Sequence, residues 1–126
     1  MLGARSTRKS RFINNYKERI MDFISEAIED YAHRHTQEEG ELLQRLEKET
    51  YEKLKIPQML TGRIEGRLLR FLALLMGARR MIEVGTFSGY GTLSMAEALP
   101  DNGEIFTCDI DPDCLAMARR YFGESP

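Results

Sequence analysis

An excess of charge of either sign is missing from this sequence. Eighteen Lys and Arg stand against 20 Asp and Glu, a formal net charge of -2. No general affinity for nucleic acid, or for strongly acidic or basic partners, follows from that balance. The exception is residues 1–11, where Arg5, Arg8, Lys9 and Arg11 meet no acid. Without interleaved aromatics or an amphipathic stripe, this basic stretch reads as a solvated terminus rather than a nucleic-acid or membrane arm. Long apolar runs are missing as well. None approaches the ~20 residues needed to cross a bilayer. No hydrophobic segment follows the basic start, so no secretory signal is expected. Cysteine is scarce. Cys108 and Cys114 fall on an expected strand and an expected helix, in no zinc or redox spacing, and read as reduced thiols of a cytoplasmic protein. His33 and His35 are two apart, so on a helix they face apart and cannot share a metal.

What is present is globular: 42% hydrophobic and 30% charged residues. Residues 12 to 33 carry Tyr16, Ile20, Phe23, Ile24, Ala27 and Tyr31 at helical spacing. Residues 37 to 54 predict a second, mostly polar helix with a thin stripe of Leu43, Leu46, Thr50 and Leu54. That stripe reads as part of a solvated helix, and the sequence leaves open whether it packs on a partner subunit. Pro57 ends the helix. A third helix is expected from about Arg63 to Met76, with Gly77 as its C-cap. Its second half, Leu68 to Met76, is apolar all round but for Arg70 and is expected to be buried.

The chain is organised around Met81-Ile82-Glu83-Val84-Gly85-Thr86-Phe87-Ser88-Gly89-Tyr90. Apolar residues lead to an acid, two glycines bracket a turn, and a helix is expected over 90–99. Pro100-Asp101-Asn102-Gly103 is a turn. Ile105 to Ile110 predicts a second strand. Asp111 caps a helix that starts at Pro112, ends at Gly123 and turns Leu115, Ala118 and Phe122 inwards. Strand, helix, strand, helix is the start of a parallel α/β sheet. Ligands of such sheets sit outside the carboxyl ends of the strands, where an acid closing the second strand, here Asp109, meets ribose hydroxyls.

Three ligands compete for the turn. A phosphate loop needs a lysine after its last glycine, and none follows Gly89. A dinucleotide fold wants Gly-x-Gly-x-x-Gly, and position 87 is Phe. S-adenosylmethionine carries no phosphate, and its methionine end bears an ammonium and a sulfonium. Glu83 suits that positive charge and would repel a pyrophosphate.

These residues carry a resemblance. Glu83-Val84-Gly85-Thr86-Phe87-Ser88-Gly89-Tyr90, Ala96 to Gly103 and Cys108-Asp109-Ile110-Asp111-Pro112 resemble the cation-dependent O-methyltransferases of the catechol and caffeoyl-CoA type. Met59-Leu60-Thr61-Gly62 with Glu65-Gly66 is similar to that family's cofactor-side segment. The resemblance implies an α/β, Rossmann-like class I methyltransferase fold, here incomplete and preceded by N-terminal helices. It implies that Thr61 contacts the methionine end of S-adenosylmethionine, that Glu83 lies near its ammonium, that Gly85, Thr86 and Phe87 line the turn, and that Asp109 holds the ribose. Gly91 falls where relatives often carry Ser, so only its backbone N–H remains for the methionine carboxylate. Met59 is either a flank of the sulfonium or a core residue. The family's divalent cation, Mg above all, is held by two aspartates and an asparagine of the later half of the domain. No residue of this chain is assigned as a metal ligand or catalytic group, and Asp101, Asp111 and Asp113 have turn and helix-start roles instead.

The expected organisation is a basic terminus (1–11), N-terminal helices (12–56) and the first part of the cofactor domain (57–126). A parallel βαβ unit takes about 30 residues and a stable sheet at least three strands. The chain is therefore expected to be a fragment, or to take further strands from another copy or a partner. The expected parent activity is methyl transfer to a small catechol-like hydroxyl acceptor by a homodimer with no nucleic-acid or membrane partner. The alternative is a truncated, non-catalytic module for cofactor binding or assembly.

Overall fold

The computed structural model describes residues 24–125. The basic terminus and residues 12–23 of the first expected helix lie outside the described residues. The chain divides between Ala32 and His33 into two units. Helix α1 (Glu26–His35) crosses that division, and none of its residues is buried. Glu26 and Glu29 open it and His33, Arg34 and His35 close it, each charge suiting the helix dipole.

In the unit from His33 onwards the order is helix α2 (Glu41–Lys53), a 3-10 turn (Pro57–Met59), helix α3 (Gly62–Leu75), strand β1 (Arg80–Val84), helix α4 (Tyr90–Ala96), strand β2 (Glu104–Cys108) and helix α5 (Pro112–Phe122). The strands pair in parallel, with Glu83 opposite Thr107 and Val84 opposite Cys108. This is the opening of an α/β parallel sheet preceded by helices.

The thin stripe of α2 finds its place inside the chain. Leu43 and Leu46 join Tyr90 and Leu93 of α4 and Met117 and Tyr121 of α5 in one buried cluster. Each such side chain contributes roughly 1.5–3 kcal/mol by leaving water. Thr50 is fully buried, and its hydroxyl donates to the Leu46 carbonyl at 2.8 Å. Beside it, Glu49 ties α2 to α5: its Oε1 accepts from Lys53 and Arg120, and its Oε2 accepts from the Tyr121 hydroxyl at 2.7 Å. The Arg120 and Lys53 donors hold the Glu49 carboxyl down at about 2, and burial with Glu49 alongside pushes Tyr121 up to about 12.

Several boundaries differ from the sequence expectation. Helix α2 ends at Lys53, ahead of Pro57, and Pro57 instead opens the 3-10 turn. Helix α4 stops at Ala96, and the chain tightens into i→i+3 bonds from Ala98 and Leu99. Strand β2 ends at Cys108, which leaves Asp109 just beyond it. Helix α5 buries Cys114, Met117, Ala118 and Tyr121; of the expected inner residues Ala118 is buried, Phe122 is half-buried against the core and Leu115 is half-buried, because Met117 and Tyr121 are the side chains that join Leu43 and Leu46 of α2. Gly77 follows α3 at φ +59, and the next amide, Ala78, reaches back to the Ala73 carbonyl at 3.0 Å, as a glycine helix end requires.

The largest departure is the apolar half of α3. Only Ala73 is buried there, whereas Leu68, Phe71, Leu75 and Met76 are exposed. The outward sheet face is equally bare: Ile82 is 82% exposed, Val84 85% and Phe106 60%. Among the described residues nothing packs on this side, so apolar composition does not produce burial there.

Candidate functional site

The site lies at the carboxyl ends of the two strands, where β1 turns into α4. Gly85 (φ +100) and Gly89 (φ +89) take left-handed backbone, and so does Phe87 at φ +48. For a side chain larger than Asn that conformation costs about 1–2 kcal/mol. What holds it is visible: the Phe87 N–H donates to Asp109 Oδ2 at 2.7 Å. The other oxygen, Oδ1, accepts the Asp111 N–H at 2.9 Å. These backbone donors, Asp111 first and Phe87 second, hold the Asp109 carboxyl below the usual carboxylate range. A charged Asp109 thus closes the glycine turn and keeps lone pairs on both oxygens for a diol. Asp111 spends its own carboxylate on the Asp113 and Cys114 amides, the cap expected of it.

Gly85 hydrogen-bonds to the Cys108 carbonyl at 2.9 Å. A Cβ placed on it would meet nothing within 4 Å, so the turn presents bare backbone to open space. The Thr86 side chain points inwards and is buried.

Glu83, Thr61 and Gly91 form a second group. A Cβ on Gly91 would stand 2.9 Å from Glu83 Oε1 and 3.1 Å from Thr61 Oγ1. Both oxygens therefore flank the bare Cα of Gly91. Thr61 precedes α3, but its hydroxyl makes no capping bond. Gly91 thus leaves a place bordered by a carboxylate oxygen and a hydroxyl.

Two residues not singled out in the sequence complete the site. Thr92 and Thr107 both donate their hydroxyls to Glu83 Oε2, Thr107 at 2.6 Å. Thr86 Oγ1 lies 2.6 Å from Thr107 Oγ1, which joins the glycine turn to the acid. The signal for Thr107 is positional, since in the parallel register it sits beside Glu83 and faces the same side. Ile110, directly after Asp109, is fully exposed. Met59 is 64% exposed, which removes its core reading. All seven expected site residues thus fall into two groups, Thr61, Glu83 and Gly91 on one side and Gly85, Thr86, Phe87 and Asp109 on the other, linked through Thr107. No group of three or more His, Cys, Asp or Glu side chains suited to a metal occurs among the described residues.

Comparison with known proteins adds three findings. A family model described as O-methyltransferase matches residues 33–126. The chain is 43% identical over 56 residues to a catechol O-methyltransferase of Niastella koreensis, covering 44% of this chain and 25% of that protein. It is 51% identical over 47 residues to a caffeoyl-CoA O-methyltransferase of Populus kitakamiensis, covering 37% of this chain and 20% of that one. Among solved structures, the O-methyltransferase TomG from Streptomyces achromogenes, in complex with S-adenosylmethionine, superposes with a TM-score of 0.71 at 28% identity, over 79% of this chain and 44% of TomG. Each match covers under half of the relative's own length. The strand–turn–helix motif, the parallel register and these matches agree: the chain belongs to the O-methyltransferase family and carries an incomplete Rossmann-like class I methyltransferase fold.

Proposed function

We propose that the protein binds S-adenosylmethionine at the Glu83–Asp109 site, as the cofactor half of an O-methyltransferase that acts on a small, catechol-like hydroxyl acceptor. The observation that carries this reading is the pairing of two acids across one glycine turn, each already fixed by two hydrogen bonds, one to each oxygen of Asp109 and both to one oxygen of Glu83. Asp109 is fixed by two backbone N–H groups, and Glu83 by two threonine hydroxyls. A ligand with a diol at one end and an ammonium at the other fits that spacing of charge. The bare backbone at Gly85 and the cradle at Gly91 fit a close approach.

When bound, S-adenosylmethionine supplies an electrophilic methyl group on a positively charged sulfur. The residues of this chain bind and orient. Asp109 accepts from both ribose hydroxyls, in charge-assisted bonds. Glu83 Oε1 and Thr61 Oγ1 accept from the methionine ammonium. Gly85, Thr86 and Phe87 form the wall of the turn, and the Gly91 N–H faces the methionine carboxylate. Ile110 offers an apolar surface next to the ribose site. Orientation of this kind is a large part of what such a domain contributes to a transfer reaction. The described residues do not fit a divalent cation, so no step through one is derived. Residues 57–126 form the cofactor domain in this reading, the location is cytoplasmic and the assembly is a homodimer.

The names of the catechol and caffeoyl-CoA relatives support the acceptor class. A second reading, a non-catalytic cofactor-binding or assembly module, is favoured by the bare apolar sheet face and predicts binding without turnover. Titration calorimetry with S-adenosylhomocysteine tests the proposal. Binding that Asp109→Ala abolishes is the expected result. No binding, or binding unaltered in Asp109→Ala, overturns it. A methyltransferase assay of the 126-residue chain is expected to show no turnover under either reading, and metal-dependent turnover by this chain would overturn the second.

A further inference from the structure

Glu83 is held unevenly, and the unevenness has a direction. Oε2 receives two hydroxyls, from Thr92 and Thr107, and Oε1 receives none among the described residues. Oε1 is the oxygen beside Gly91 and Thr61. A carboxylate is acceptor-only, so Thr107 must spend its single proton on Glu83. Its 2.6 Å neighbour Thr86 must then donate to Thr107. The chain of protons runs one way, from the buried Thr86 of the glycine turn through Thr107 to Glu83 Oε2.

Resting on the cofactor reading above, we infer that Thr107 is a positioning residue for ammonium recognition. It anchors one oxygen of Glu83 so that the other is presented, unspent, to the amino group of the ligand. Without the hydroxyl, the carboxylate is free to rotate about its last bond and share both oxygens with Thr92 and water. Thr86 is then left in a buried place with a hydroxyl that has lost its acceptor. The consequence is selective. Ligands that carry the ammonium lose affinity, and ligands that lack it do not, because Asp109 and the turn amide of Phe87 hold each other without Thr107.

Two probes separate this from a merely structural role. S-adenosylhomocysteine carries the amino-acid end, and 5′-methylthioadenosine lacks it but keeps the ribose and adenine. In Thr107→Val, which keeps the shape and removes the hydroxyl, affinity for S-adenosylhomocysteine is expected to fall about tenfold, the worth of one lost hydrogen bond to a charged group. Affinity for 5′-methylthioadenosine is expected to stay within about twofold of the unsubstituted protein, an interval below the worth of one hydrogen bond. Thr107→Ser restores the first probe. Thr92→Val, which removes the other donor to the same oxygen, shows the same selectivity and serves if Thr107→Val does not fold. An equal loss for both probes, or no loss for S-adenosylhomocysteine, overturns the inference while leaving the cofactor reading intact. Failure of the unsubstituted protein to bind either probe overturns both.

Discussion

The two faces of the same pair of strands behave differently. On one face Met81, Glu83, Ile105 and Thr107 turn towards the helices and are half-buried. On the other, Ile82, Val84, Phe106 and Cys108 stand exposed, with the apolar flank of α3 also bare. The inner face carries Glu83 and Thr107 beside Met81 and Ile105, and the outer face is hydrophobic beyond the Arg80–Glu104 ion pair at its start. Composition alone would assign burial the other way round. Acid and hydroxyls can sit inside because they satisfy one another, Thr86 to Thr107 to Glu83, at no unpaired cost. The outer residues are exposed because no described element lies over them. Stability and ligand binding should therefore be sensitive on the inner side and indifferent on the outer.

Leu46→Ala gives the largest expected change. Leu46 is fully buried between α2, α4 and α5, and its truncation should cost about 2–5 kcal/mol in denaturant unfolding. Gly89→Ala comes next. The new Cβ would lie 2.7 Å from Phe122 Cε1, at a backbone φ of +89. A loss of about 1–3 kcal/mol is expected, with Phe122 shifting to make room.

A smaller effect is the acid sensitivity of the α2–α5 tie. The Glu49 carboxyl sits at about 2 in the folded protein against an ordinary 4.5. Its folded pKa is depressed, so its contribution is complete above the ordinary value and disappears as pH falls towards the folded one. Thermal unfolding followed from pH 5 down to 2 should fall less steeply in Glu49→Gln than in the unsubstituted protein, since that window spans the two values. The smallest effect is expected on the outer face. Phe106→Ser should change stability by about 0.5 kcal/mol or less, as exposed positions do. A cost as large as that of Leu46→Ala would break the comparison, because it would mean that the outer face is packed in solution.

Local chemistry was legible in the sequence where a residue acts on its own neighbours. Asp111 before Pro112 caps α5, Gly77 closes α3, and Gly85 and Gly89 take the positive φ that their turn needs. The placement of the two candidate acids was legible too, with Glu83 near the end of β1 and Asp109 directly after β2. Thr107 was not, because its role depends on strand register, which pairs it with Glu83, 24 positions earlier in the chain. Nor was the strained Phe87, whose N–H is held by an acid from the next strand. The inner face of α5 was legible in part, since Ala118 is buried and Phe122 packs on the core while Cys114, Met117 and Tyr121 were not named. Leu115, Ala118 and Phe122 have the same helical period as Cys114, Met117, Ala118 and Tyr121, and only the partner helix α2 decides between them. The apolar half of α3 was read as buried for a similar reason: periodicity reports which residues seek cover and is silent on what supplies it.

In the proposed function one ligand spans the two acids. A crystal structure of the protein with S-adenosylhomocysteine bound tests it most directly. The ribose hydroxyls are expected on Asp109, the amino group on Glu83 Oε1 and Thr61 Oγ1, and Thr107 still donating to Glu83 Oε2. A ligand seated away from the turn, or a Glu83 carboxylate directed away from the amino group, would contradict it.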